Sequence, residues 1–248
     1  MNKFSRVLAL TDRNIKEILR DPLSLIFTLG LPLVMEILFY VIFHDLTSQF
    51  EMKYLSPGIV VFSQSFLTLF TALLIATDKN TLFLTRLYVS GAKSYEFILS
   101  YALSVLPVAL LQSVLFFVTG GIFDTSIFSI NMIFSILVSM VTSLFFIAFG
   151  ILFGSLFSEK SVGGISSVLI AGQSVLSGMW FPLDGLSSGV LTFMKVLPFK
   201  NATMVVQNTL LGINSFYPDF LLPLLIVSGY TIVAFFVAVT VFKNKMKA

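Results

Sequence analysis

The chain has 248 residues, 57% of them apolar and 11% charged, with no cysteine, one histidine and a formal net charge of +3. Charged residues make up about a quarter of an ordinary globular chain. The composition therefore excludes a soluble domain with a polar shell, a disordered segment, a disulfide scaffold and a His/Cys metal centre. Uninterrupted apolar runs near or above about 18 residues, without period-two alternation, predict an all-α polytopic membrane protein rather than a β-barrel.

Residues 1–21 come first. Phe4, Val7, Leu8, Ile15, Ile18 and Leu19 recur at helical spacing, with Lys3, Arg6, Arg13, Lys16, Glu17 and Arg20 on the remaining surface. That pattern predicts an amphipathic interfacial helix and not a cleavable signal peptide, because no compact apolar core is present. Asp21-Pro22 ends it, since a residue before proline is driven out of the α region. Six apolar stretches follow, at 23–43, 57–77, 97–119, 129–157, 162–180 and 221–242. Each is long enough to cross about 30 Å of hydrocarbon. With the N-terminus in the cytoplasm, the inside holds every Lys and Arg except Lys53, Lys195 and Lys200. The positive-inside bias thus predicts six transmembrane helices with both termini cytoplasmic, and it makes the net positive charge no argument for nucleic acid.

Glu36 is the one acidic residue well inside a stretch. The first stretch has 14 Leu, Ile, Val or Phe residues, which favour insertion by roughly 4 to 8 kcal/mol, against about 3 kcal/mol for a central acid. Pro32, one turn earlier, removes the donor that the Thr28 carbonyl would use. A kink beside a carboxyl reads either as the wall of a polar cavity or as a structural hydrogen bond to another span. On the second stretch Gln64, Thr68 and Thr71 share a helical face; on the fifth, Gln173 lies among serines and glycines. These suit close helix packing or a translocation path. Gly150 and Gly154 form a small-xxx-small spacing, and Ser158 to Ser161 turn the chain back tightly.

Enzyme motifs are missing. Gly91-Ala92-Lys93-Ser94 lacks the glycines of a phosphate-binding loop. His44 belongs to the outer end of the first span and has no nucleophile context. Asn201-Ala202-Thr203 is a glycosylation triplet of a kind common by chance.

Two passages carry a family resemblance. One is Thr85-Arg86-Leu87-Tyr88-Val89-Ser90 followed by Glu96-Phe97-Ile98-Leu99; the other is Ser177-Gly178-Met179-Trp180-Phe181-Pro182-Leu183. Both resemble the permease subunits of type-2 ATP-binding-cassette (ABC) exporters, although Gly91-Ala92 stands where that family usually has a proline. The resemblance covers residues 1–248 as one permease domain. It implies a cytoplasmic coupling loop at 78–96, with Arg86, Leu87, Gly91, Tyr95 and Glu96 docking on a separate ATPase that binds ATP and Mg. It also implies a second permease copy, a homodimer by default, and a re-entrant outer segment at 180–220 with Phe181 and Pro182 at the gate. Glu36, Gln64, Thr68, Thr71 and Gln173 would line the substrate path.

The expected function is export of a hydrophobic or amphiphilic substrate (drug, peptide or lipid) across a cell membrane, most simply a prokaryotic plasma membrane. The chain itself would be no enzyme and hold no cofactor. A secondary carrier, or a membrane-embedded enzyme built on Glu36 and Gln64, is the alternative.

Overall fold

A computed structural model describes residues 3–81, 83, 93–181 and 185–245. These residues form nine α-helices and no strand: α1 Lys3–Leu19, α2 Pro22–Phe43, α3 Met52–Asn80, α4 Ser94–Phe123, α5 Ile130–Leu156, α6 Glu159–Leu176, α7 Ser188–Val196, α8 Pro198–Leu211 and α9 Leu222–Lys245. Five are long and apolar enough to cross a membrane: α2, α3, α4, α5, and α9 with the π-helical turn before it. The fifth sequence stretch does fold as a helix, α6. Its 18 residues begin with Glu159-Lys160 and include three glycines, so it is shorter and more polar than the other five. It stops at Leu176 because Gly178 takes a positive φ of 72°, turning the chain out of the helix before Trp180.

Helix α3 is the axis of the bundle, packed by α2, α4, α5, α6 and α8. One apolar cluster, around Leu55, Ile59, Phe116, Phe117, Phe145, Phe146 and Val205, fills the end of the bundle away from α1. A second, around Ile75, Phe97, Tyr101, Ile147, Ile151 and Phe242, fills the α1 end and receives Ile18 of α1. Only one stripe of α2 is buried, Thr28, Pro32 and Glu36, spaced four apart. The many exposed Leu, Ile, Val and Phe side chains on α2, α5 and α9 form the surface that a lipid solvent would cover.

Helix α1 presents a narrower face to the bundle than its apolar pattern suggests. Val7, Asn14 and Ile18 are buried, whereas Phe4, Leu8 and Leu19 are exposed. Most of its inward contact is with α4. Asp21 both ends α1 and caps α2, accepting the Ser24 N–H at 3.1 Å with Pro22 in the first helical turn.

The proline in α2 has a specific compensation. Gln112 of α4 donates through Nε2 to the Thr28 carbonyl at 3.2 Å and to the Ser63 carbonyl at 3.0 Å. It thereby satisfies the acceptor that Pro32 leaves free. Replacing Gln112 by Leu should therefore destabilise the purified protein by about 1–3 kcal/mol, the scale for orphaning a buried acceptor. In a Pro32→Ala background, where α2 regains its own donor, the loss measured by thermal unfolding should shrink. An equal loss in both backgrounds would show that Gln112 acts elsewhere.

At the opposite end from α1, the 180–220 segment contains two short helices, α7 and α8. Leu197-Pro198 separates them, with Pro198 at the start of α8. Helix α8 packs on α3, α5, α6 and α9. Asn201, the glycosylation-type residue, is buried, and its Nδ2 donates to the carbonyls of Lys195 and Leu197 at 2.7 and 2.6 Å. Its side chain ties the end of α7 to the start of α8.

Candidate functional site

A group of buried and half-buried charged residues gathers where α1 meets α3 and α4. Asp78, near the end of α3, is buried and receives a two-pronged hydrogen bond from Arg13, Nη1 to Oδ2 at 2.6 Å and Nη2 to Oδ1 at 2.7 Å. The Tyr101 hydroxyl of α4 donates to the same Oδ2 at 2.5 Å. Arg13 also lies 4.1 Å from the ring centroid of Phe83. Burial lowers the Arg13 pKa, but the hydrogen bond and charge of Asp78 outweigh it and hold the guanidinium above its ordinary value. One carboxylate thus joins three helices.

A second ion pair lies on the other side of the 82–92 stretch. Glu96, in the first turn of α4, has no exposed surface; it accepts the Lys93 N–H at 3.1 Å and pairs with Arg6 of α1 at 3.3 Å. Tyr95, the adjacent residue, points to a different face, where it is exposed beside Leu99 and Phe235. Arg86, Leu87 and Gly91, the other expected docking residues, lie outside the described residues.

The end of α3 is also fastened to the α5–α6 turn. Lys79 Nζ donates to the carbonyls of Gly154, Ser155 and Phe157 at 3.0, 3.0 and 3.1 Å. These are acceptors that the end of α5 leaves open, and a cation suits that helix terminus. Asn80 donates to Glu159 of α6 at 2.6 Å.

The expected path residues fall into two groups. Gln64, Thr68 and Thr71 are buried in the seam between α3 and α5. Gln64 donates to the Ser139 carbonyl and accepts from Thr142, both at 2.8 Å, and Thr68 donates to the Phe146 carbonyl at 2.9 Å. The Thr71 side chain lies against Gly150. Gln64 and Thr68 thus bridge two helices within the chain, whereas the buried Thr71 hydroxyl has no hydrogen-bond partner among the described residues.

Glu36 and Gln173 are different. Glu36 has no exposed surface, and neither carboxyl oxygen has a hydrogen-bond partner among the described residues. Ser56, which faces it from α3, donates instead to the Met52 sulfur at 3.6 Å. Gln173 of α6 is also buried; its amide donates to Thr203 of α8 at 3.4 Å while its oxygen has no partner. Glu36 faces Ser56, eight residues and about 12 Å of helix from Gln64, so the two do not make one reaction centre. Phe181 accepts the Gln49 amide through its carbonyl at 2.9 Å; Pro182 lies outside the described residues. Among the described residues no cluster of three or more His, Cys, Asp or Glu could hold a metal ion.

A bundle of long apolar helices, with hydrogen-bonded polar groups buried between them, defines a multi-pass all-α membrane protein. The family model described as ABC-2 type transporter matches residues 5–211, and the chain belongs to that family. It is accordingly the transmembrane component of an ABC transporter and not the ATP-binding cassette, and its family implies an ABC ATPase subunit as partner. No curated protein matches the chain.

Proposed function

We propose that this chain is the permease subunit of an ATP-driven exporter. It forms, with a second copy, the path for a hydrophobic or amphiphilic substrate, and takes its drive from a separate ATPase docked on the cytoplasmic segment 78–96. ATP and Mg belong to that partner. The observation that carries the reading is the double clamp on this segment. Asp78 at its start and Glu96 at its end are buried and held by Arg13 and Arg6 of the same helix, α1. A force applied to a segment anchored at both ends moves α1, α3 and α4 together, and Lys79 and Asn80 pass it to the α5–α6 turn.

In this mechanism Gln64, Thr68 and Thr71 keep the wall of the path intact during the movement. Glu36 and Gln173, with buried unpartnered oxygens, are the polar groups exposed to substrate in the alternative state. The cassette partner can shift the balance of states only through its different affinity for each. Phe181 and Pro182 stand at the outer gate.

The test is a mild-detergent pull-down of tagged protein from native cell membranes, with ATPase activity measured in the eluate. A stoichiometric nucleotide-binding partner is expected. Glu96→Ala should lower substrate-stimulated ATPase activity while the permease stays folded, because it frees one end of the segment. Retention of full coupling in Glu96→Ala and in Arg6→Ala would remove the clamp from the mechanism. Absence of a partner, even after crosslinking in intact cells, would count against the exporter.

A further inference from the structure

The end of the bundle away from α1 contains a cavity of about 380 Å³, within the size range of small-molecule sites. One face of α8 forms a wall with Lys200, Thr203 and Gln207, spaced three and four apart. The opposite walls come from Ser48 and Tyr54, and from Met179 just after the Gly178 turn. These walls are braced: the Gln207 amide donates to the Tyr54 carbonyl at 3.2 Å, and Gln49 to the Phe181 carbonyl at 2.9 Å.

Among the described residues that line this cavity, Lys200 is the only charged one. It is half-buried and forms no ion pair or hydrogen bond through its ammonium among the described residues. Burial, and secondarily the neighbouring Lys195, lowers its pKa, the response of a cation partly withdrawn from water. The other nearby cation, Lys53, is already paired with Glu51 at 2.6 Å. The position near the start of α8 adds the favourable end of a helix dipole for an anion. Ser48 and Tyr54 also line the cavity, and no hydrogen bond of either hydroxyl occurs among the described residues. Met179 and Met204 supply apolar, adaptable surface beside them.

We propose that this cavity binds a phosphate group, with the Lys200 ammonium as counter-charge and the Ser48 and Tyr54 hydroxyls as donors. The molecule bearing that phosphate is an anionic amphiphile whose headgroup is held here before release. The inference deepens the exporter reading and rests on it for the outward direction of movement.

The chain has a single tryptophan, Trp180, adjacent in sequence to Met179 of the cavity wall, and it provides a reporter. Purified full-length protein in a neutral detergent is titrated with dioctanoyl phosphatidylglycerol, with zwitterionic dioctanoyl phosphatidylcholine and with inorganic phosphate. Trp180 emission is recorded, and bound ligand is counted in parallel by native mass spectrometry. Saturable binding of the anionic lipid is expected, weakened at least about tenfold in Lys200→Gln, a loss of roughly one charged contact. Lys200→Arg should retain it, and Lys195→Gln should leave it nearly unchanged.

Binding of the lipid but not of inorganic phosphate identifies a lipid headgroup as the source. Equal, Lys200-dependent binding of inorganic phosphate shows that the free anion suffices. Equal affinity for phosphatidylcholine, an unaffected Lys200→Gln variant, or no bound ligand by mass spectrometry overturns the proposal. No ATPase takes part, so such a failure leaves the exporter reading standing, and loss of the ATPase partner would leave the cavity result untouched.

Discussion

Asp78→Ala is expected to lower the stability of the purified protein by about 3 kcal/mol, and to do so at the point where α3 leaves the bundle. Two groups lose their acceptor. The Tyr101 hydroxyl is fully buried, and leaving such a donor unpaired costs about 1–3 kcal/mol. The Arg13 side chain is 31% exposed, so water compensates part of its loss, and its share falls below the 3–5 kcal/mol of a fully buried pair. At about 2–4 °C per kcal/mol for a chain of this size, the melting temperature should drop by roughly 6–12 °C. Tyr101→Phe removes one hydroxyl and its hydrogen bond together, and should cost only about 1 kcal/mol. Combining Arg13→Ala with Asp78→Ala should cost less than the sum of the two, because the groups share one network. Additive losses would mean that Arg13 and Asp78 act independently, and the three-helix joint would have to be abandoned. A stable Asp78→Ala protein with uncoupled ATPase activity would instead place the effect in transmission.

The sequence made some of this visible and concealed the rest. Helix edges for α2 and α5 follow the apolar runs 23–43 and 129–157 to within one residue, and α9 starts within one residue of 221 but runs three residues past 242 into Lys243 and Lys245, because hydropathy measures insertion and not where a helix frays into water. Helix α3 begins at Met52, five residues before the expected start at Pro57. Met52 and Leu55 are drawn into the core, and a proline in the second turn is tolerated there. The last expected span residues of the fifth stretch, Ser177 to Trp180, lie outside α6 because the Gly178 turn intervenes. Hydropathy does not see backbone sign.

Side-chain partners were less legible. Asp78 reads in sequence as a loop charge next to Lys79, since its partners Arg13 and Tyr101 are 65 and 23 residues away. Gln112 has no local signal except Pro32, 80 residues earlier: a missing helical donor in one span predicts that some donor must arrive, but not from where. Glu96 stands out in the sequence only as part of the family-like passage; its burial against Arg6 depends on how α1 lies across α4, which no local pattern encodes. His44, expected at the end of the first span, is there: it directly follows α2, its Nδ1 is 2.8 Å from the Tyr40 carbonyl, and its ring stacks on Tyr40.

The second large effect is expected at the α3–α5 seam. A Cβ built on Gly150 would lie 2.6 Å from Thr71 Cβ and 2.8 Å from the Thr68 carbonyl oxygen; on Gly154 it would lie 2.8 Å from both the Ala72 carbonyl oxygen and Ile75 Cβ. Carbon contacts are comfortable at about 3.5–4.0 Å, and backbone cannot rotate aside as a side-chain tip can. Alanine gains up to about 1 kcal/mol over glycine in a helix, yet overpacking of this kind costs about 1–3 kcal/mol. The clash should win in Gly150→Ala, because the contacts it meets are a main-chain carbonyl and a β-branched carbon. Gly150→Leu should exceed what the bundle can absorb and abolish monodisperse protein on size exclusion. Gly163→Ala in α6 is the control: nothing lies within 4 Å of its added carbon in this chain, so it should be neutral or mildly stabilising. Once Gly150→Ala has pushed α5 outward, Gly154→Ala should cost less than it does alone. Displacing α5 by an ångström also stretches the bonds from Thr68 to Phe146 and from Gln64 to Ser139, which are 2.9 and 2.8 Å long. A seam that holds two helices as one body in the transport cycle should therefore show the defect twice, in melting temperature and in coupled ATPase activity. If Gly150→Ala lowers stability yet leaves coupling intact, α3 and α5 are free to slide during transport, and the wall of the path must be sought on other helices.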